Sequence, residues 1–229
     1  MATIQNYVRP QRLYRYRSIK SYLDPEMEVK NNLDREIEAI EHACLYCARY
    51  TQLNDPMEGT FRSSSSLRQD DRYRNIKSEI IDEKSQTGIC SFTEVQNHEL
   101  MWAHYADQFA GICVAYNFSM LLRHLPEHVS FVRMYYSEKV PVVRHSHLQP
   151  DQPAKMILSY KNYRWLYERE WRMFGQIGSV SYRKINCVTH VYLGSKIAPE
   201  HKDRITRAML ALRIKVSDMR VSKYALSFV

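Results

Sequence analysis

The stretch Trp165-Leu-Tyr-Glu-Arg-Glu-Trp-Arg-Met-Phe174 decides how this chain is read. As a strand it sets Leu166, Glu168, Glu170 and Arg172 on one face and Tyr167, Arg169, Trp171 and Met173 on the other, because successive side chains alternate. As a helix, turning about 100° per residue, it would spread the two glutamates by roughly 200° around the axis. The aromatic content favours the strand, and two carboxylates are then expected in one neighbourhood. The alternative is a solvated sheet edge, with Glu168 and Arg172 a surface pair worth ~0.5 kcal/mol.

Outward from this stretch, Ala154 to Arg164 has a helical pattern that delivers the chain to it. Beyond it, Val188 to Gly194 predicts a strand, Pro199 to Leu212 a helix with proline in its first turn, and Arg213–Val216 and Tyr224–Val229 two more strands. Upstream, Gly88 to Thr93 is a compact apolar strand. Asn97 can cap a helix carrying Leu100, Met101, His104, Tyr105, Gln108 and Phe109, with Gly111 as its stop. Ile112 to Asn117 is a second buried strand, followed by a short helix over Phe118–Leu125 and a strand over Val129–Tyr136.

Nearer the N-terminus, Leu13 to Arg17 alternates tyrosine with arginine and predicts a short strand with one face of arginines. The alternative there is an edge strand with snorkelling arginines. Apolar positions at three- and four-residue intervals predict an amphipathic helix from Pro25 to about Arg49, with Cys44-Leu-Tyr-Cys47 at its end. Leu53-Asn-Asp-Pro-Met-Glu-Gly59 has turn chemistry, Ser63–Ser66 is a polar loop, and Arg72–Lys84 a helix. No repeat or linker divides the chain, so the expectation is one α+β domain over residues 1–229, with a β-sheet core and surrounding helices.

Composition narrows the classes. Of 229 residues, 45% are hydrophobic and 25% charged, which argues for a globular chain with a substantial core and against disorder. No run approaches the roughly 20 apolar residues of a membrane span, and Met1–Gln11 has no apolar signal core. Five cysteines without framework spacing point to free thiols in a reducing compartment, so the cytoplasm is expected. Cys44 and Cys47 are expected as core thiols rather than zinc ligands, and His145 and His147 as a solvated loop rather than a metal site. The net charge of +8 suits an anionic partner: nucleic acid, a phosphorylated cofactor or an acidic protein. With six glycines and neither a Walker motif nor a dinucleotide fingerprint, ordinary NAD-linked redox chemistry and P-loop hydrolysis are not expected.

Taken in order, Leu13-Tyr-Arg-Tyr-Arg17, Leu53-Asn-Asp-Pro-Met-Glu58, Cys90-Ser-Phe-Thr93, Met101-Trp-Ala-His-Tyr-Ala106 with Gly111, and Tyr167-Glu-Arg-Glu-Trp-Arg172 resemble a bacterial and phage family filed as domain of unknown function 2971. The resemblance runs from about Leu13 to Gly194. The family name carries no activity. A second resemblance supplies one: Tyr14-Arg15, Ser91-Phe92-Thr93 and Glu168-Arg169-Glu170 are similar in order to the three motifs of arginine–serine–glutamate ADP-ribosyltransferases. Ser91 follows Arg15 by 76 residues and Glu170 follows Ser91 by 79, room enough for that small split-sheet fold. Phe92 interrupts the usual Ser-Thr-Ser and leaves the role of Thr93 open.

What this resemblance implies is an enzyme that cleaves NAD, its substrate, at the nicotinamide–ribose bond and modifies a macromolecular acceptor, protein or nucleic acid. Glu170 would face the positive charge developing on the ribose, Glu168 would orient or deprotonate the acceptor, and Arg15 would grip a phosphate or ribose oxygen. Ser91 would bond the ribose or brace Glu170, while Tyr14, Phe92, Trp102 or Tyr105 could stack on nicotinamide. His104 is either an acceptor-side base or a core histidine. A toxin, effector or phage-defence role follows by the same resemblance, with an antitoxin or immunity partner. Two rivals come from other classes: a nucleic-acid-binding module without catalysis, and a Mg²⁺-dependent nuclease built on Asp55, Glu58, Glu168 and Glu170.

Overall fold

Alternating and fully apolar segments lie side by side at the centre of the computed structural model, which describes residues 3–4, 9–23, 29–30, 32–150 and 152–229. Among the described residues nine strands form one mixed sheet. In chain order they are β1 (Thr3–Ile4), β2 (Arg12–Arg17), β3 (Gly88–Thr93), β4 (Ile112–Asn117), β5 (Ser130–Arg133), β6 (Glu170–Gly175), β7 (Val188–Leu193), β8 (Lys215–Ser222) and β9 (Ala225–Phe228). Side by side they run β1, β5, β6, β3, β2, β4, β7, β8, β9. The fold is α+β, with helices on both faces of the sheet. Among the described residues no helix is long and apolar enough to cross a membrane.

One face of the sheet carries Leu13, Phe92, Val114, Phe131, Trp171 and Met173, covered by Leu33 and Ile40, Leu121 and Leu122, and Ile205 and Met209 from the helices Asn32–Glu41, Phe118–His124 and Pro199–Ala211. The other face presents Tyr16, Cys113, Ala115 and Tyr192 to Met101 and Trp102 of the helix Glu99–Tyr105. The sheet is not continuous at its middle. β2 pairs with β4 over all six of its residues, yet meets β3 at Tyr14 and Thr93 alone. Further along, the position beside β3 is taken by Ala48, bridged to Ile89. The sheet is therefore split between β2 and β3, and a cleft opens there.

Tertiary contacts redraw several expected boundaries. The Trp165–Phe174 segment is half strand: Tyr163–Glu168 is a 3₁₀ turn capped by the Asn162 side chain, Arg169 takes a left-handed φ of 44°, and the strand begins at Glu170. Ala154–Arg164 is not one helix. A short helix ends at Ile157, and Tyr160–Asn162 pairs in parallel with Tyr135–Ser137, a partner that no local pattern announces. The expected Pro25–Arg49 helix shortens to Asn32–Glu41, since Ala43 turns left-handed at 51° and Cys44–Cys47 pairs with Gly178–Ser181 as a strand. Pro25 and the rest of 24–28 lie outside the described residues.

Ser63–Ser66 is not simply a loop, because Ser64 caps a helical turn over Ser65–Arg68. His98, not Asn97, precedes the Glu99–Tyr105 helix, without a side-chain cap. That helix stops before Gly111, at a turn where Asp107, Gln108 and Phe109 all have positive φ. The Asp107 carboxylate offsets this strain by accepting from the Ser18 hydroxyl and the Ile19 and Lys20 amides. Val129–Tyr136 breaks at Met134 into two strands, and β8 starts at Lys215 after left-handed Arg213. β2 is central rather than an edge.

Gly111 has a packing reason: a Cβ there would lie 2.4 Å from the Arg17 carbonyl oxygen. Backbone cannot yield as a side chain would, so Gly111→Ala is expected to cost about 1–3 kcal/mol, a fall in Tm of roughly 2–12 °C for a chain of this length. Thermal unfolding followed by circular dichroism checks this. An unchanged Tm would refute the close approach.

Candidate functional site

The cleft at the split holds a cavity of about 250 Å³. Register explains what faces it. Glu170 lies opposite Thr93 and Arg172 opposite Ser91, so β6 and β3 present these four side chains on one face. Glu168 arrives by another route: the left-handed turn at Arg169 brings its carboxylate back beside that of Glu170. Thr93 fixes this turn, its hydroxyl donating to the Glu168 carbonyl at 2.5 Å and accepting from the Val95 amide at 3.1 Å. The two carboxylates thus converge as expected, but through a turn rather than through strand parity.

Two cations tie the acids together. Lys161 Nζ donates to Glu168 Oε2 at 2.5 Å and to Glu170 Oε2 at 3.0 Å. Arg172, 1% exposed, uses its fork twice. Its Nε and Nη2 donate to Glu170 at 2.8 and 3.3 Å, and Nη1 and Nη2 to the two Glu58 oxygens at 2.6 and 2.8 Å. Nη1 also bonds the Leu158 carbonyl at 2.7 Å. Glu58 is delivered by the Leu53–Gly59 turn, which is braced by buried Asp55 accepting from the Met57 amide. The Tyr105 hydroxyl donates to Glu168 Oε1 at 2.5 Å, and the Tyr136 hydroxyl accepts from the Glu170 amide.

These surroundings push the two acids apart. Burial alone would raise Glu170, but Arg172 and Lys161, with a bond from Ser91, outweigh it and hold its pKa down to about 2. For Glu168 burial prevails, aided by the neighbouring Glu170 charge, and its pKa is raised despite Lys161 and Tyr105. Glu170 therefore stays ionised, while Glu168 is the readier of the two to carry a proton. Burial and Glu168 also raise the Tyr105 hydroxyl, which remains a donor.

A pH dependence follows. A carboxyl held near 2 instead of its ordinary 4.5 contributes stability that is present above 4.5 and lost as pH falls toward 2. The raised Glu168 acts in the opposite sense, its contribution being lost as pH rises through its folded value. The Tm of the wild type is expected to decline through this acid window more steeply than that of Glu170→Gln. Parallel slopes in thermal melts from pH 5 to 2 would exclude Glu170 as the responsible group.

Of the residues singled out in the sequence, Tyr14, Arg15, Ser91, Phe92, Thr93 and Tyr105 border the cavity together with Glu168 and Glu170. Arg15 is half-buried with its guanidinium 5.6 Å from the centre of the Phe92 ring. It reaches the cavity although it is out of phase with Tyr14, because the sheet is split there. Trp102 and His104 do not border it. Trp102 is fully buried against Tyr16 and donates to the Gln96 carbonyl, whereas His104 is exposed, neither core nor cavity. Lys161 went unread because the helical pattern of 154–164 hid a strand. Of the carboxylates proposed for Mg²⁺, Glu58, Glu168 and Glu170 are engaged by Lys161 and Arg172 and Asp55 braces its own turn, and among the described residues no three His, Cys, Asp or Glu are grouped to hold a metal.

Among curated proteins and solved structures, nothing matches the chain. Residues 101–173, from the Met-Trp-Ala-His-Tyr-Ala helix to Met173 of β6, match a family described as a protein of unknown function, DUF2971.

Proposed function

We propose that this chain is an ADP-ribosyltransferase-like enzyme that breaks the nicotinamide–ribose bond of NAD and transfers the ADP-ribosyl group to a macromolecular acceptor. One observation carries the reading: Tyr14-Arg15, Ser91 and the Glu168/Glu170 pair, distant in sequence, border one cavity at the split of the sheet. The opposed proton affinities of the two acids suit the division of labour that the reaction needs.

Glu170, ionised and held from two sides, is the fixed negative charge for the cation that develops as the glycosidic bond breaks; held rigidly, it needs no reorganisation. Part of its field is spent on Lys161 and Arg172, so its task is as much to orient as to attract. Glu168 takes the proton of the attacking acceptor hydroxyl or amine, and Lys161 couples the two acids. Tyr105 and Tyr14 offer aromatic surface, whereas Phe92 touches the cavity from the core and is only 2% exposed, and Arg15 supplies a cation for an anionic group. A volume of about 250 Å³ is below the roughly 300–1,000 Å³ of typical ligand sites. It suits the nicotinamide–ribose half of the dinucleotide, with the rest over the rim. Such an activity fits a toxin, effector or phage-defence component acting in the cytoplasm and silenced by an antitoxin or immunity partner.

The test is NAD turnover. Folded protein, labelled NAD and a lysate containing RNA and protein should release nicotinamide and leave label on a macromolecule. No release, or release unchanged in both Glu168→Gln and Glu170→Gln, would overturn the proposal.

A further inference from the structure

A second concavity lies on the same sheet face as Tyr14, over β7, β8 and β9, with a volume of about 410 Å³. Its floor is aromatic. The rings of His190 and Tyr192 stack 4.3 Å apart and 5° from parallel, and Phe228 packs 4.7 Å from Tyr192. Ala115 pairs with both Tyr14 and His190, and Cys113 with both Tyr16 and Tyr192, so small side chains separate two rows of rings; Tyr192 is buried beneath the floor, and the half-buried His190 and Phe228 rings reach its surface. Gln96 and Asn97 supply amides and Ser217 a hydroxyl to its lining.

Its charge has one sign. No acidic side chain is among the lining residues; burial lowers the proton affinity of His190, and the exposed Arg12 and Lys215 nearby lower it further. Arg12 also stands close enough to the hydroxyls of Tyr14 and Tyr192 to act on both. Two polar atoms of the walls, His190 Nε2 and Gln96 Oε1, are buried with no hydrogen-bond partner among the described residues. Buried polar atoms are nearly always satisfied, so two on one groove call for an explanation.

We infer that this groove binds a nucleotide unit, its base against the His190 and Phe228 rings and within reach of the Gln96 and Asn97 amides, its phosphate between Arg12 and Lys215. Aromatic stacking with flanking cations is the chemistry by which single strands are held without sequence readout. The overall charge of +8 favours the same class of ligand. Binding here is independent of the proposed reaction. Tyr14, which borders the first cavity, lies 6.3 Å from Tyr192, so the two sites adjoin.

The experiment is fluorescence anisotropy with a labelled single-stranded RNA 12-mer and the whole chain, at several salt concentrations. The double variant Arg12→Glu/Lys215→Glu is expected to bind at least tenfold more weakly, with the slope of log K against log salt reduced by about 2. Ser217→Tyr, which fills the groove without changing charge, should also weaken binding. Arg74→Glu/Lys77→Glu, an equal charge change on the exposed side of the Tyr73–Gln86 helix, should alter affinity less than twofold. Competition by AMP would show that the groove accepts a lone nucleotide; RNA binding that AMP does not reduce would assign it to a strand. Absence of RNA binding, equal weakening by both charge-reversed variants, or no effect of Ser217→Tyr would overturn the inference.

Discussion

Arg172→Met is expected to destabilise the protein by about 3–5 kcal/mol, the usual cost of removing one partner from a buried ion pair. At roughly 2–4 °C per kcal/mol, the Tm should fall by roughly 6–20 °C. The loss is not one of packing, since methionine fills much of the same volume. It comes from Glu58 and Glu170, both nearly inaccessible to water, which each lose two charge-assisted bonds from the guanidinium. Removing a second charge should relieve part of this, so Glu58→Gln with Arg172→Met is expected to be less destabilised than the sum of the single variants. Arg172→Lys keeps a charge but not the planar fork, and should recover only a fraction. A Tm within 2 °C of wild type for Arg172→Met would show that the two acids do not depend on it.

Glu170→Gln is expected to lower nicotinamide release by roughly 10²–10³-fold, the usual loss when one preorganised electrostatic group is removed. It will also cost stability, because Lys161 and Arg172 lose the anion that both hold, so its Tm must be measured alongside. Glu168→Gln separates the two effects. Its carboxyl binds a proton more readily than usual, so losing its charge costs less than losing that of Glu170; the one glutamine oxygen can keep the Lys161 bond, while its amide takes the place of the oxygen that accepts from Tyr105. Stability should fall less than in Glu170→Gln, while transfer to the acceptor falls by roughly 10²–10⁴-fold and nicotinamide release falls less. Measuring released nicotinamide and retained label in the same reaction distinguishes the outcomes. Equal loss of both in Glu168→Gln would remove it from the acceptor side.

Much of this was legible along the chain. The apolar runs 88–93, 112–117 and 188–193 became the strands expected of them, and Pro199 opened its helix, because these segments obey a local period that burial reinforces. The company of Arg15, Ser91, Glu168 and Glu170 was also anticipated, from motif order. Other features had no local signature. Tyr160–Asn162 is a strand only because Tyr135–Ser137 lies beside it, and this places Lys161 between two glutamates. Arg172, readable as a surface pair, is buried because Glu58 arrives from 114 residues away. Trp102 and His104, neighbours of Tyr105 on one short helix, point away from the cavity while Tyr105 enters it, a difference set by how that helix packs on β2. The residue types and their periods thus specified the strands and the acids; which acid stays charged was left to tertiary structure, since proton affinity depends on burial and on partners that only the folded chain brings within reach.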